Sequence, residues 1–295
     1  MQIRYLRFIS NIFILIGLFI FCSSIASFLA AGIIMLISKV SVQDLTNVEY
    51  WQTASGGRWY MLLMQVISAG GGFFGTFWLY RRFFETENKV ISTKNEQLSV
   101  FILIIFLVIA SMPFVSGFLG ELNQKIDFGT WAKEMELKLE ILTKFLISFD
   151  SFSQFLFGIF VIAIIPAIGE ELLFRAILQR KLSEDMNAHL SIWLSAILFS
   201  AIHLQFLGFF PRMLLGALFG YLYYFSKDIR TAIFAHFINN AFTLLMVYLY
   251  QQKIITIDVV DKPALSLVVV FSSLLIALGI FVFIYTQFWK NKTEK

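Results

Sequence analysis

Charge is scarce in this sequence. Lys, Arg, Asp and Glu make up 14% of its 295 residues, against roughly 25% in a soluble domain. That deficit excludes a chain whose surface is mostly wetted. The length is spent on apolar spans, so one membrane domain over 1–295 is expected and no separate soluble domain. Cysteine is nearly absent: Cys22 stands alone inside an apolar run. This excludes an internal disulfide and leaves Cys22 as a small buried hydrophobe. Histidine occurs three times, at His189, His203 and His236, so any imidazole chemistry must come from these three. The formal net charge of +4 is modest and shows no nucleic-acid footprint.

What the sequence has instead is apolar side chain: 59% hydrophobic residues, 35 Phe among them, and a mean hydropathy of +0.79. A run from about Phe8 to Ile37 is far longer than the 7–15-residue core of a signal peptide and reads as a retained first span. Further spans are expected over about Trp59–Tyr80 and Phe101–Leu119. A fourth begins near Phe152, runs through Glu170-Glu171 and continues as Leu172–Leu182. The rest are expected over His189–Leu207, Met213–Phe225, Ile229–Tyr250 and Ala264–Trp289. The fold class is thus an all-α polytopic bundle of about eight transmembrane helices. Residues 1–150 hold three spans and an amphipathic segment, 151–250 the core spans, and 251–295 the last span. In the segment 120–150, Trp131, Met135, Leu139, Leu142, Leu146 and Phe149 recur at spacings of three and four among charged residues. This is an amphipathic helix too charged to span, suited to the membrane surface or to capping the bundle.

Small residues suggest close packing. Gly70-Gly71-Gly72 with Gly75, and Gly216-x-x-x-Gly220, are spaced for tight helix approach. Eight spans put both termini on one side. Arg4, Arg7, Arg81, Arg82, Lys89, Lys94, Arg175, Arg180, Lys181, Lys227, Arg230, Lys290, Lys292 and Lys295 crowd that side, against Lys39, Arg58, Arg212, Lys253 and Lys262 in the short loops opposite. The excess of basic residues predicts cytoplasmic termini, in a bacterial cytoplasmic membrane.

Against this background the stretch Pro166-Ala-Ile-Gly-Glu170-Glu171-Leu-Leu-Phe-Arg175 stands out. A charge at a helix centre in hydrocarbon costs roughly 2.5–3.5 kcal/mol even on lenient scales, so three such groups together are paired or functional. On an α-helix Glu171 and Arg175 are four apart, acid first, a spacing that suits an internal pair. Glu170, five residues from Arg175, is then left to point into a site. His189 opens its span and reads as a surface or capping residue. His203, in Phe199-Ser-Ala-Ile-His203, is expected about 14 residues into the fifth span, near 20 Å along it. His236 and Asn240 are four apart on the seventh span and share a face, whereas Asn239 lies about 100° from Asn240. A long, tilted fourth helix is expected to bring Glu170 to the depth of His203.

A carboxylate, two imidazoles and a carboxamide on three helices permit two chemistries. The carboxylate and one imidazole can take a proton from water, while the other imidazole and the amide N–H stabilise a developing oxyanion. Alternatively Glu170, His203 and His236 supply the three-ligand set of a catalytic zinc. Both hydrolyse amides, and both require a cavity open to water.

Glu170-Glu171-x-x-x-Arg175, Phe199-x-x-x-His203 and His236-x-x-x-Asn240 resemble the three signature motifs of the CPBP family. This family comprises the type II CAAX prenyl endopeptidases and the bacteriocin-processing and immunity proteins of bacteria. The resemblance covers about residues 150–245. It implies an intramembrane endopeptidase acting on a membrane-associated or lipidated peptide. Glu170 would be its catalytic carboxylate, completed by His203, His236 and Asn240, with Glu171, Arg175 and Phe199 in support. Members are commonly called metalloproteases; a metal-free reading has Glu170 and His203 activate water while His236 and Asn240 form the oxyanion hole. Asn is a poor zinc ligand and a natural oxyanion donor, which favours the second. Two competing readings are a non-catalytic scaffold or immunity protein of the same family, binding a peptide or partner, and a proton- or cation-relay transporter. Against the transporter, the sequence shows no repeated halves with broken helices.

Overall fold

The computed structural model describes residues 2–85, 96–256 and 265–290. Lys89, Lys94, Lys262, Lys292 and Lys295, which enter the charge asymmetry, and Ala264, the expected start of the last span, lie outside the described residues. The described chain is helical in succession: α1 (Gln2–Ser38), α2 (Val48–Thr53), α3 (Gly57–Phe83), α4 (Leu98–Gln124), α5 (Thr130–Leu146), α6 (Phe152–Asp185), α7 (Ala188–Ala201), α8 (Phe209–Ser226), α9 (Ile229–Gln251) and α10 (Leu267–Trp289). Seven of these are long and apolar enough to cross a membrane: all but α2, α5 and α7. The chain is an integral membrane protein with an all-α bundle.

The fourth span is a single run of 34 residues, about 50 Å at the α-helical rise, as long as the sequence required. The fifth corrects the expectation. It stops at Ala201, 14 residues long, about 21 Å, and so short of the roughly 30 Å hydrocarbon core. The bonds that follow are of the tighter i→i+3 kind, from His203 N–H to Ser200 O and from Leu204 N–H to Ala201 O. Leu204 then turns left-handed at φ 55°, which ends the helix. His203 therefore sits in a turn beyond α7, not deep within a span. α8 in turn starts at Phe209, earlier than Met213, because Pro211 falls in its first turn, where a missing N–H costs nothing.

The chain divides into two compact units, with boundaries inside α5, after Leu137, and inside α6, after Leu173. In the first unit α1 and α3 pack along small residues. A Cβ added at Gly71 would stand 2.5 Å from Ala26 Cβ, and one at Gly72 2.4 Å from Ser23 Oγ. Gly75 faces Cys22 Sγ in the same way, so Cys22 is the buried small residue the sequence suggested. Because lipid tails are as apolar as the helices, this fit of surfaces holds the pair rather than any gain from leaving water. Trp51, fully buried, donates Nε1–H to Leu45 O at 2.9 Å and anchors a cluster with Ile34, Val40 and Phe145. Arg58 ties the α5–α6 corner, donating to Phe145 O at 3.1 Å and Gln154 Oε1 at 2.8 Å and pairing with Asp150.

In the second unit α4, α8, α9 and α10 share a core that includes Val100, Ile104, Leu107, Phe219, Leu222, Ala232 and Trp289. Four stretches are wound with i→i+5 bonds: Pro113–Leu119, Ile159–Ile164, Leu172–Gln179 and Tyr285–Trp289. Pro113 opens the first and Pro166 follows the second, each removing a ladder donor that the wider turn accommodates. The third is the one that carries Arg175.

Candidate functional site

Glu170 and Glu171 lie in the last turn of the part of α6 that belongs to the first unit, both buried. The residue before them fixes their approach. A Cβ on Gly169 would lie 2.5 Å from both Cβ and Cγ of Phe73, so α6 can lean on α3 there only because Gly169 has no side chain.

Past Leu173 the widened turns of α6 enter the second unit. Arg175, 1% exposed, donates Nη2–H to the Gly216 carbonyl of α8 at 2.8 Å. One turn on, Gln179 Nε2 donates to Gly220 O at 3.1 Å. The two glycines of Gly216-x-x-x-Gly220 thus do two things. They bare their carbonyls to α6, and they admit α7: Phe199 Cδ1 and Ala196 Cα would stand 3.1 and 3.3 Å from a Cβ on Gly216. Ser195 of α7 completes the junction by donating to Phe174 O at 3.0 Å. With i→i+5 bonding over Leu172–Gln179, the four-residue spacing of Glu171 and Arg175 no longer by itself places two side chains on one face.

The Arg175 guanidinium is enclosed by aromatic faces. Its Cζ lies 4.9 Å from the ring centre of Phe199 and 5.9 Å from those of Phe174 and Phe219. A cation over such faces is stabilised by roughly 2 kcal/mol or more once desolvated. Phe199 is the common neighbour of the polar groups. Its ring centre is 5.1 Å from that of His203 and 5.9 Å from that of His236. His236 is buried and stacks on Phe219 at 5.0 Å with 19° between the planes. The structure therefore gathers Arg175, Phe199, His203 and His236 around one aromatic hub within the second unit.

Hydrogen bonding sets the state of the half-buried His203. Its Nδ1 is 2.7 Å from Phe199 O. A carbonyl only accepts, so Nδ1 carries a proton, and when the ring is neutral Nε2 is its acceptor nitrogen. This is the tautomer a general base needs if it is to work through Nε2. Asn240 follows His236 by one turn of α9, and its Oδ1 accepts from Asn239 Nδ2 at 3.1 Å. Asn239, which helical spacing set aside, is thus hydrogen-bonded to Asn240. His189 is exposed, with Nδ1 3.1 Å from Tyr221 OH, the surface position expected.

Residues 152–242 match the family described as type II CAAX prenyl endopeptidase Rce1-like. A protein of Bacillus subtilis (strain 168) named "Putative membrane peptidase YdiL" is 32% identical over 101 residues, covering 32% of this chain and 41% of the relative. Over this stretch the chain is similar to membrane peptidases of the CPBP type. No solved structure matches the chain. The CPBP match contains all three motifs, from Glu170 to Asn240.

Zinc is the metal the CPBP resemblance raises. Among the described residues, no group of three or more His, Cys, Asp or Glu side chains is placed to hold a metal ion. Three polar residues that the motifs do not contain bond to the matched stretch: Gln179 to Gly220 O, Asn239 to Asn240 Oδ1, and Asn123 to Phe206 O and the Phe210 N–H. Their only sequence signal was a polar side chain inside or beside an apolar span.

Proposed function

We propose that the protein is an intramembrane endopeptidase. It hydrolyses a peptide bond of a membrane-associated or lipidated peptide, in CAAX-type processing or a bacteriocin-like maturation. The observation that carries the reading is the tautomer of His203, held with Nδ1–H on Phe199 O beside a second imidazole, inside the matched stretch. Glu170 enters through its motif in the same stretch.

In this reading Glu170 and His203 take a proton from a water molecule. Its oxygen bonds to the scissile carbonyl carbon, and the carbonyl oxygen becomes an oxyanion. His236 and the Asn240 amide donate to that oxyanion, where a single donor is worth roughly 10²–10³ in rate. The C–N bond then breaks, the abstracted proton passes to the leaving nitrogen, and a carboxylate remains. Arg175 and Phe199 hold the imidazoles without touching substrate. Lipid and a peptide or lipidated protein are the partners, in a bacterial cytoplasmic membrane.

The test is cleavage of a prenylated tetrapeptide-ended substrate by the full chain in liposomes, with Glu170→Gln beside it. Glu170→Gln is expected to abolish turnover while leaving the protein folded. Retained cleavage would refute the assignment. Loss on chelation with recovery on added zinc would replace the metal-free scheme by a zinc one.

A further inference from the structure

The turn that carries His203 is strained and yet closely held. Leu204 is left-handed, at φ 55°, a conformation that is strained for a non-glycine residue and persists only where the surroundings over-determine it. The surroundings are specific. Ser200 Oγ donates to Phe209 O at 2.6 Å, and Arg212 donates to Gln205 Oε1 at 2.7 Å and to Gln205 O at 3.3 Å. These bonds lie within the segment 199–212 itself.

Asn123, near the end of α4 and 1% exposed, reaches in from outside the segment. Its carboxamide uses both ends: Nδ2 donates to Phe206 O at 2.7 Å, and Oδ1 accepts from the Phe210 N–H at 2.8 Å. Phe210 is in the first turn of α8, where backbone N–H groups have no acceptor within the helix. Asn123 therefore caps α8 from another helix and binds the turn with the same side chain. The Phe206 ring is gripped as well, with centres 5.7 Å from Phe128 and 4.9 Å from Trp131.

We infer that Asn123 is a positioning residue for His203: by fixing Phe206 and Phe210 it holds the left-handed turn, and the turn holds the imidazole against Phe199 O. The inference rests on His203 acting as a base in the proposed reaction. A misplacement of about 1 Å in such a group costs on the order of 10²-fold in rate.

The experiment compares Asn123→Ala and Asn123→Asp with the wild type in detergent micelles. Aspartate keeps the acceptor for Phe210 N–H and loses the donor to Phe206 O. With ¹⁵N-labelled histidine there are three ring systems to assign, each identified by its own substitution. In the wild type His203 should give the signals of a single Nδ1–H tautomer. In Asn123→Ala these should move toward the average of two tautomers, with faster exchange of the Phe210 amide and helix content unchanged. Asn123→Asp should fall between, and it serves alone if the alanine variant does not fold. Turnover should drop about tenfold or more in Asn123→Ala with KM within about twofold, as expected of lost orientation rather than lost binding. An unchanged His203 tautomer in both variants overturns the inference, and so does full turnover with the tautomer lost. If the wild type itself cleaves nothing, the protease reading fails, while the ring signals still decide what Asn123 holds.

Discussion

The guanidinium of Arg175 lies over the ring of Phe199, 4.9 Å from its centre, and the same ring touches the imidazoles of His203 and His236. A charge that apolar surroundings would reject is thus turned into a support for two imidazole rings. The two residues should be energetically coupled. Arg175→Lys keeps the charge but loses the planar fork and the face-to-face contact. Phe199→Leu keeps the bulk but loses the quadrupole. Each alone is expected to lower the thermal midpoint in detergent. The double variant should be less destabilised than the sum by about 0.5–2 kcal/mol. Strict additivity would show that the contact contributes nothing.

Much of the site was legible because charge and imidazole are rare in apolar spans. Glu170, Arg175, His203, His236 and Asn240 announced themselves by cost alone. Helix boundaries were legible wherever apolar length decided them, as in α3, α6 and α9. What was hidden depended on backbone state. Nothing in Ala201–Gln205 signals that Leu204 turns left-handed, so the fifth span was read too long and His203 too deep. Nor does the pattern around Arg175 announce i→i+5 winding, whereas the face argument for Glu171 took the i→i+4 winding of an α-helix. Asn123 lies some 80 residues before its partners at Phe206 and Phe210, and no periodicity links them.

The glycines of α8 and α10 should behave oppositely. A Cβ at Gly220 would meet Gln179 Oε1 at 2.7 Å and Ile192 Cγ2 at 2.9 Å, and one at Gly216 would meet Phe199 and Ala196. Gly279 has nothing within 4 Å. Gly216→Ala and Gly220→Ala are expected to destabilise by about 1–3 kcal/mol through overpacking. Gly279→Ala should be neutral or stabilise by up to about 1 kcal/mol. Thermal unfolding of the three variants in one detergent checks the order.

Outside the spans, the entry to α5 should respond to acid. The Asp127 carboxylate sits below the usual carboxylate range because Lys133 donates to it, with the Gly129 N–H and the lysine charge adding to the effect. A depressed folded-state pKa means the contact stabilises the segment above the ordinary carboxylate pKa. That support is lost as the pH falls through the lowered value. The Gly129 amide should therefore exchange faster, relative to its intrinsic rate, as the medium is acidified. Asp127→Asn should remove the acid-dependent change. A pH-independent protection factor in the wild type would refute the linkage.

The carboxamide pair on α9 offers the sharpest test of the oxyanion role. Asn239 Nδ2 donates to Asn240 Oδ1, and in the proposed reaction the Asn240 amino group donates to the developing negative charge. Asn240→Asp is nearly isosteric but presents only acceptors in its ionised form. If Asn240 stabilises an oxyanion, this variant should lose about 10²–10³ in kcat, with KM close to the wild type, because the interaction is made in the transition state. Asn239→Ala removes only the orienting bond and should cost less, about tenfold. Equal losses in the two variants would mean that the pair acts through packing. An active Asn240→Asp enzyme would exclude the amide as a donor and leave His236 to meet the charge.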